Sequence, residues 1–525
     1  MIARFRRREA AQHVRRGVQI APAVAILAIA LAALTRIGGS LRYVDFYGDE
    51  ARDAFRVLAM HGGLWPTLGP ETQAGIWQLP PLYYYLIFPT SLLGLHPVLQ
   101  VLPNAVFSVA SVPLLMFLIY RLLVGIDEHR RRLIAAAGGL WWSVLFADLF
   151  LNNREWNPSS IPFFELCLVL LLAEHHRVAR LPMRVGIWIA IGVCLAVLTS
   201  LHGSTLFVMP VVFLAVTAFD VIRRVGDPRR WIAPIVSILT MIICLTPYWA
   251  GESARGWSNS RALVASIFAH GAAAPSVLAR LNTARGAYTS LSGQIFFVDS
   301  GRWFTLVGVA FLTALVIVAA AIHLRGDRRL LSIFVLVWIV YLYAASNYYP
   351  NPNFVHYKLP LLFAPIILTA LVTASLGNNW KGRAGGLLLI VLVAASIFLN
   401  ARLDVDYLCA KAGEQRPMTV DDMIAALRSL PPGALVFQKA DKYNDELSLE
   451  YLDQAVTHRQ LRFVGVPRSG SLMIVPRFEY KHSSREYYET SDFHIQPADP
   501  TASGESKLAM DVVAEAPTYR IYALK

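Results

Sequence analysis

Over its first four hundred residues the chain alternates between long apolar runs and short polar breaks. The runs occupy roughly 18–37, 97–122, 132–150, 158–175, 184–201, 204–222, 231–250, 303–323, 330–348, 359–376 and 384–401. About 20 mostly apolar residues span the hydrocarbon core of a bilayer, so the pattern predicts about eleven transmembrane helices. One apolar segment does not fit the series. Residues 80–95 open on Pro80-Pro81, are broken by Pro89 and are short for a crossing, and we read them as an interfacial or re-entrant piece. The first run follows an arginine-rich tail, as a signal sequence would, but its length and the spans after it predict an uncleaved first helix.

Beyond residue 401 the pattern changes. Long apolar runs cease, an amphipathic stretch covers 419–430, and short strand-like runs fall at 434–437, 471–475 and 519–524, while 499–506 reads as a loop. The expected architecture is a polytopic α-helical membrane protein: a transmembrane part over 1–401 and a small extracytoplasmic α/β domain over 402–525.

Composition agrees with that division. Of 525 residues, 56% are hydrophobic and 16% charged, with a mean hydropathy of +0.48, against about 25% charged in soluble chains. The four cysteines, Cys167, Cys194, Cys244 and Cys409, suggest no disulfide framework. The formal charge of +13 would raise nucleic acid as a partner for a soluble protein. Here the cations are clustered: in the amino-terminal tail (Arg4, Arg6, Arg7, Arg8, Arg15, Arg16), at Arg121 and Arg130–Arg132, at Arg177, Arg180 and Arg184, at Arg223, Arg224, Arg229 and Arg230, at Arg325, Arg328 and Arg329, and at Lys381 and Arg383. The positive-inside rule makes all of these cytoplasmic. The amino terminus is then inside, and residues 38–96, 151–160, 201–203, 251–302, 346–358 and the tail lie outside. The charge excess is thus a topology signal, and no nucleic-acid partner is expected.

Polar residues of the outer segments gather in a few places. The first outer loop carries Asp49-Glu50-Ala51-Arg52-Asp53, followed by a short amphipathic helix ended by His61-Gly62-Gly63, with Arg52 and Arg56 spaced to share a face. A solvated helix start, with acids favoured by the helix dipole, accounts for the same residues. The second outer turn carries Asn152-Asn153-Arg154-Glu155-Trp156-Asn157-Pro158, with Asp148 one turn before it and Glu165 two turns into the next helix. Ionisable groups at membrane depth are costly and so point to function, although pairing between helices also explains them. Trp156 suits an interfacial belt as well. His356, Tyr357 and Lys358 stand at the outer mouth of a late span, where they suit a phosphate at headgroup depth or simple snorkelling. His202, in a turn of a few residues, completes the outer set. No P-loop, dinucleotide fingerprint, metal-ligand spacing or nucleophile elbow is present in a credible context.

These residues resemble the phospholipid-carrier-dependent glycosyltransferases of the GT-C fold, the group that includes protein O-mannosyltransferases and lipid A aminoarabinose transferases (glycosyltransferase family 39-like). The resemblance runs over most of the membrane portion. It rests on Asp49-Glu50-Ala51-Arg52 with Trp65-Pro66, on Leu79-Pro80-Pro81-Leu82-Tyr83-Tyr84-Tyr85, on Trp156-Asn157-Pro158 with Pro162-Phe163-Phe164, and on His356-Tyr357-Lys358-Leu359-Pro360.

It implies transfer of a sugar from a polyprenyl-phosphate donor in the cell membrane to an extracytoplasmic lipid, glycan or protein, without metal or other cofactor and with inversion. Asp49 maps to the catalytic carboxylate, a base toward the acceptor hydroxyl, with Glu50 as its catalytic neighbour. Some relatives carry a basic residue just before the Pro-Pro pair, where this chain has Gln78-Leu79. Donor phosphate binding then falls to Arg52, His356, Tyr357 and Lys358, with Arg255 and Arg261 as secondary cations. Tyr83, Tyr84, Asp148, Arg154, Glu155, Trp156, Asn157 and His202 are expected around the substrate cavity. The competing reading is a transporter or flippase for a lipid-linked glycan, against which stands the lack of an inverted repeat of broken helices.

Overall fold

The computed structural model describes residues 20–46, 48–72, 77–175, 177–178, 180–223, 231–269, 276–296, 307–310, 312–315, 328–348, 359–376, 379–413, 418–437, 445–464, 468–480, 495–497 and 510–525. Along the chain the helices are α1 (Ile20–Arg42), α2 (Gly48–His61), α3 (Leu82–Ser91), α4 (Pro97–Leu122), α5 (Glu128–Ser143), α6 (Phe146–Asn152), α7 (Asn157–Glu174), α8 (Leu181–Leu201) and α9 (Gly203–Arg223). There follow α10 (Ile232–Cys244), α11 (Thr246–Ala254), α12 (Ser258–Ala269), α13 (Val277–Phe296), α14 (Arg328–Tyr348), α15 (Ala364–Ser375), α16 (Trp380–Ala412), α17 (Val420–Ser429) and α18 (Asp445–Leu452).

The chain is a membrane protein. Among the described residues six helices are long and apolar enough to cross a bilayer, or eight if the bent pairs α5/α6 and α10/α11 each count as one span. Of the other expected spans, 330–348 falls within α14 and 359–376 forms a shorter apolar helix, while 303–323 lies largely outside the described residues. The segment 80–95 forms only the ten-residue α3, which runs through Pro89 without breaking there. The outer stretch 251–302, expected as a loop, contains α12 and α13.

The 50° bend between α5 and α6 falls inside the apolar core and would strand backbone groups there, where water cannot satisfy them. Arg36, buried in a π-helical turn of α1, takes up the freed carbonyls: Nη1 donates to Ser143 O at 2.5 Å and Nη2 to Trp142 O at 3.1 Å. Its Nε pairs with Asp148 Oδ2 at 2.9 Å, which also accepts from Ser108 Oγ at 2.5 Å. On the far side of the bend, Asn400 of α16 accepts the amide of Phe146 at 3.2 Å. The bend is therefore built into side chains of three other helices.

Two sets of helix ends meet at opposite poles of the bundle. At one, Arg121 pairs with Glu174 at 3.0 Å, and Arg130 donates to the terminal carbonyls of α15, Thr373 O and Leu376 O. At the other, the 45–53 and 153–157 segments join, as described below. Both groupings combine loops that the charge pattern assigns to one side.

The region after α16 is seated at the second pole. Thr419 and Asp422 form a reciprocal capping box that starts α17. Among the described residues seven strands follow the expected runs in part: β1 (Leu435–Phe437), β2 (Arg462–Val464), β3 (Leu472–Pro476), β4 (Phe478–Tyr480), β5 (Ile495–Pro497), β6 (Met510–Glu515) and β7 (Tyr519–Leu524). Five form one mixed sheet, in the order β2-β1-β3-β7-β6, with β1 parallel to β2 and β3, and β7 antiparallel to β3 and β6. The run at 499–506 lies outside the described residues. Val420, Ile424, Leu427 and Val436 of this region share one apolar core with Val44, Phe46, Ala51 and Ala54 around the start of α2.

Candidate active site

The helical period of α2 sorts its charges onto two faces. Glu50, Asp53, Ala54, Val57 and Met60 recur at three- and four-residue intervals and are buried. Asp49, one residue before Glu50 and at the edge of that face, keeps its side chain 55% exposed. Arg52 joins the two faces, its Nη1 on Asp49 Oδ1 and its Nε on Asp53 Oδ1, both at 2.9 Å. An exposed carboxylate and a buried one are thus held by one guanidinium.

Two tyrosines of α3 meet this helix and the 153–157 turn. Tyr84 donates to Asp53 Oδ1 at 3.1 Å, and Tyr83 donates to Glu155 Oε1 at 2.6 Å. Asn104 of α4 supports the second bond: its amide donates to Tyr83 Oη at 3.3 Å and to Trp156 O at 3.1 Å, and its Oδ1 accepts from Ser160 Oγ at 2.7 Å. Arg154 donates through Nε to Glu50 Oε1 at 2.6 Å and lies 4.9 Å from the centre of the Trp156 ring. Asp45 pairs alongside Arg154, its amide donating to Asn153 O at 3.0 Å, while Tyr407 of α16 donates to Asp45 Oδ2 at 3.1 Å.

Burial dominates the acid–base character. It pushes the Glu50 carboxyl above its ordinary value, against the opposing charge of Arg154. Burial likewise raises Asp53 despite Arg52. Glu155 is raised well above the usual range, first by burial and then by the charge of Asp53, with the Tyr83 bond pulling the other way. Tyr83 and Tyr84 are raised by burial and by Glu155 and Asp53 respectively. Asp53 Oδ2 and Glu155 Oε2 are buried with no hydrogen-bond partner among the described residues. The site therefore combines one water-facing carboxylate with three buried carboxyls, Glu50, Asp53 and Glu155, that bind a proton more tightly than usual.

Of the residues singled out from sequence, Asp49, Glu50, Arg52, Tyr83, Tyr84, Arg154, Glu155 and Trp156 form this one cluster. Asn157 borders it, donating to the carbonyl of Leu201, and His202 Nδ1 accepts the amide of Ser204 at 3.1 Å at the start of α9. Asp148 stands apart, within the bundle on Arg36. Arg255 is tied to Thr67 and Glu252, and Arg261 is exposed on α12. His356, Tyr357 and Lys358 lie outside the described residues. Gln78, where some relatives carry a cation, is joined to Asn259 of α12 by two hydrogen bonds, of 2.6 and 3.0 Å. Sequence reasoning missed Asp53 as a site residue, although it stands at i+3 from Glu50, and missed Asn104, Asp45 and Tyr407 altogether. Among the described residues no three His, Cys, Asp or Glu side chains converge to hold a metal ion.

No protein-family model and no curated protein sequence matches the chain. Its structure is similar to that of ArnT from Cupriavidus metallidurans in the apo state, with a TM-score of 0.53 at 14% identity, over 96% of this chain and 98% of that one. The structure of the same enzyme bound to undecaprenyl phosphate matches at 0.52 and 13%, over 95% and 97%. The chain has the GT-C fold. A looser likeness, at 0.48 and 12%, is to the oligosaccharyltransferase of Archaeoglobus fulgidus in its apo form, over 84% of this chain and 64% of that one. The ArnT match runs nearly end to end in both chains.

Proposed function

We propose that the protein is a membrane glycosyltransferase that moves a sugar from a polyprenyl-phosphate carrier to an acceptor on the outer side of the cell membrane, with inversion at the anomeric carbon. The observation that carries this reading is the pairing of exposed Asp49 with Arg52 above a buried set of carboxyls and tyrosines. Its support is a fold whose solved example, ArnT, was crystallised with undecaprenyl phosphate.

In this mechanism Asp49 accepts the proton of an acceptor hydroxyl while that oxygen attacks the anomeric carbon. The bond from that carbon to the carrier's phosphate oxygen breaks, and the phosphate leaves with the electron pair. Arg52 orients Asp49 and, with His356, Tyr357 and Lys358, stabilises the charge that builds on the leaving group. The donor carries its own leaving group, so no nucleotide enters. The acceptor is a lipid, a glycan or a protein.

The same reading gives eleven crossings with the amino terminus in the cytoplasm, and it divides the chain into a transmembrane part to residue 401 and an extracytoplasmic domain after it. The test is to supply the reconstituted protein with radiolabelled polyprenyl-phosphate sugars. Consumption of one of them with label moving to an acceptor is expected. Consumption of none, with labelled lipid crossing the bilayer intact, would favour a flippase instead.

A further inference from the structure

Tyr451, in α18, is fully buried although its helix is rich in charged and polar residues. Its ring lies between Phe46, with 5.5 Å between centroids, and Phe55, edge-on at 5.3 Å. Its hydroxyl donates to Leu95 O at 2.7 Å and accepts from Gln100 Nε2 at 2.6 Å. A buried phenol with both hydrogen-bonding roles filled and its ring enclosed is fixed in position.

Its four partners bracket the site. Phe46 stands three residues before Asp49 and Phe55 two after Asp53, so the ring grips both ends of the stretch that carries Asp49, Glu50, Arg52 and Asp53. Leu95 lies in the turn between α3, which bears Tyr83 and Tyr84, and α4. Gln100 is one helical turn before Asn104, the residue that holds Tyr83 and the Trp156 carbonyl. One side chain from the carboxyl-terminal region thus touches α2 and the stretch leading into it, the α3–α4 turn, and α4.

From this geometry we infer that Tyr451 is a positioning residue: it holds α2 against the α3–α4 corner and so keeps Asp49 and Arg52 in the arrangement that transfer requires. The region after α16 is then part of the working site and not only a surface for the acceptor. The catalytic half of this inference rests on the function proposed above; the mechanical half does not.

The experiment compares full-length wild type, Tyr451→Ala and Tyr451→Phe in lipid nanodiscs by hydrogen exchange across 48–61 and by transfer from the polyprenyl-phosphate donor. For Tyr451→Ala, exchange in that segment is expected to rise about tenfold. A fall in kcat of about tenfold or more, at unchanged donor KM, should accompany it. Tyr451→Phe keeps the ring and loses two hydrogen bonds, and should show a smaller rise in exchange and a smaller fall in kcat. It serves alone if Tyr451→Ala does not accumulate. Wild-type exchange across 48–61 in the variants overturns the inference, and so does faster exchange with kcat unaltered. If wild type consumes no such donor, the proposed function fails, while the exchange measurement still decides whether Tyr451 holds α2.

Discussion

Arg154 and Glu50 lie 104 residues apart in the chain, yet Arg154 Nε donates to Glu50 Oε1 at 2.6 Å, with Glu50 buried and Arg154 nearly so. The pair stitches α2 to the 153–157 turn. Removing one member leaves the other charge buried without its partner, which costs about 3–5 kcal/mol, whereas replacing both by apolar side chains is often close to neutral. We expect Arg154→Met to lower the thermal midpoint in detergent sharply and Glu50→Met/Arg154→Met to recover much of the loss. Equal loss in the single and double variants would show that the pair is not coupled.

Asp49 is the carboxylate whose removal should damage transfer without damaging the fold. Its side chain is largely exposed and its ion pair with Arg52 lies toward the surface, where such pairs contribute little. Asp49→Asn should lose about 10²- to 10⁴-fold in transfer while reaching the membrane in wild-type amounts. Turnover near the wild-type rate would remove Asp49 from the mechanism.

The buried carboxyls give the stability a definite pH dependence. Glu155 is raised above its ordinary value of 4.5, so over the interval above that value the folded state holds a proton that the unfolded chain has released. Stability must therefore fall as pH rises from about 4.5 through the folded value, and be unaffected by this group at lower pH. Glu155→Gln places a neutral amide there. Its melting temperature should match wild type near pH 4 and exceed it increasingly toward pH 8; parallel curves would mean that Glu155 does not titrate abnormally.

Sidedness is open to a direct check. A periplasm-type reporter fused after residue 410 should be active, and one fused beside Arg131 should be silent. The opposite pattern would move the whole carboxylate cluster to the cytoplasmic face and end the proposed reaction.

Much of the bundle was legible because apolar length is a strong one-dimensional signal. The α5/α6 bend was not, since no proline or glycine marks Val144-Leu145 and the bend depends on a cation more than a hundred residues away. In the candidate site, the structure brings together the 45–53 and 153–157 segments, which the charge pattern placed on one side, and Asp49, Glu50, Arg154 and Glu155 stand out there by residue type. What the pattern could not provide was pairing. Asp148 and Glu155 read alike as acids near one turn, yet one is bound to Arg36 within the bundle and the other to Tyr83. Asp53 was visible at i+3 from Glu50, but its tie to Tyr84 exists only once α3 has folded beside α2.

The guanidinium that closes the α5/α6 bend also sets a schedule for synthesis. Arg36 is made 112 residues before Asp148, so at ordinary translation rates of about 5–20 residues per second the first helix waits roughly 6–22 s for its counter-charge. The amide of Phe146 waits for Asn400, 254 residues later. Neither contact can form until its later partner has been made, so the bend is completed only once α16 has been synthesised.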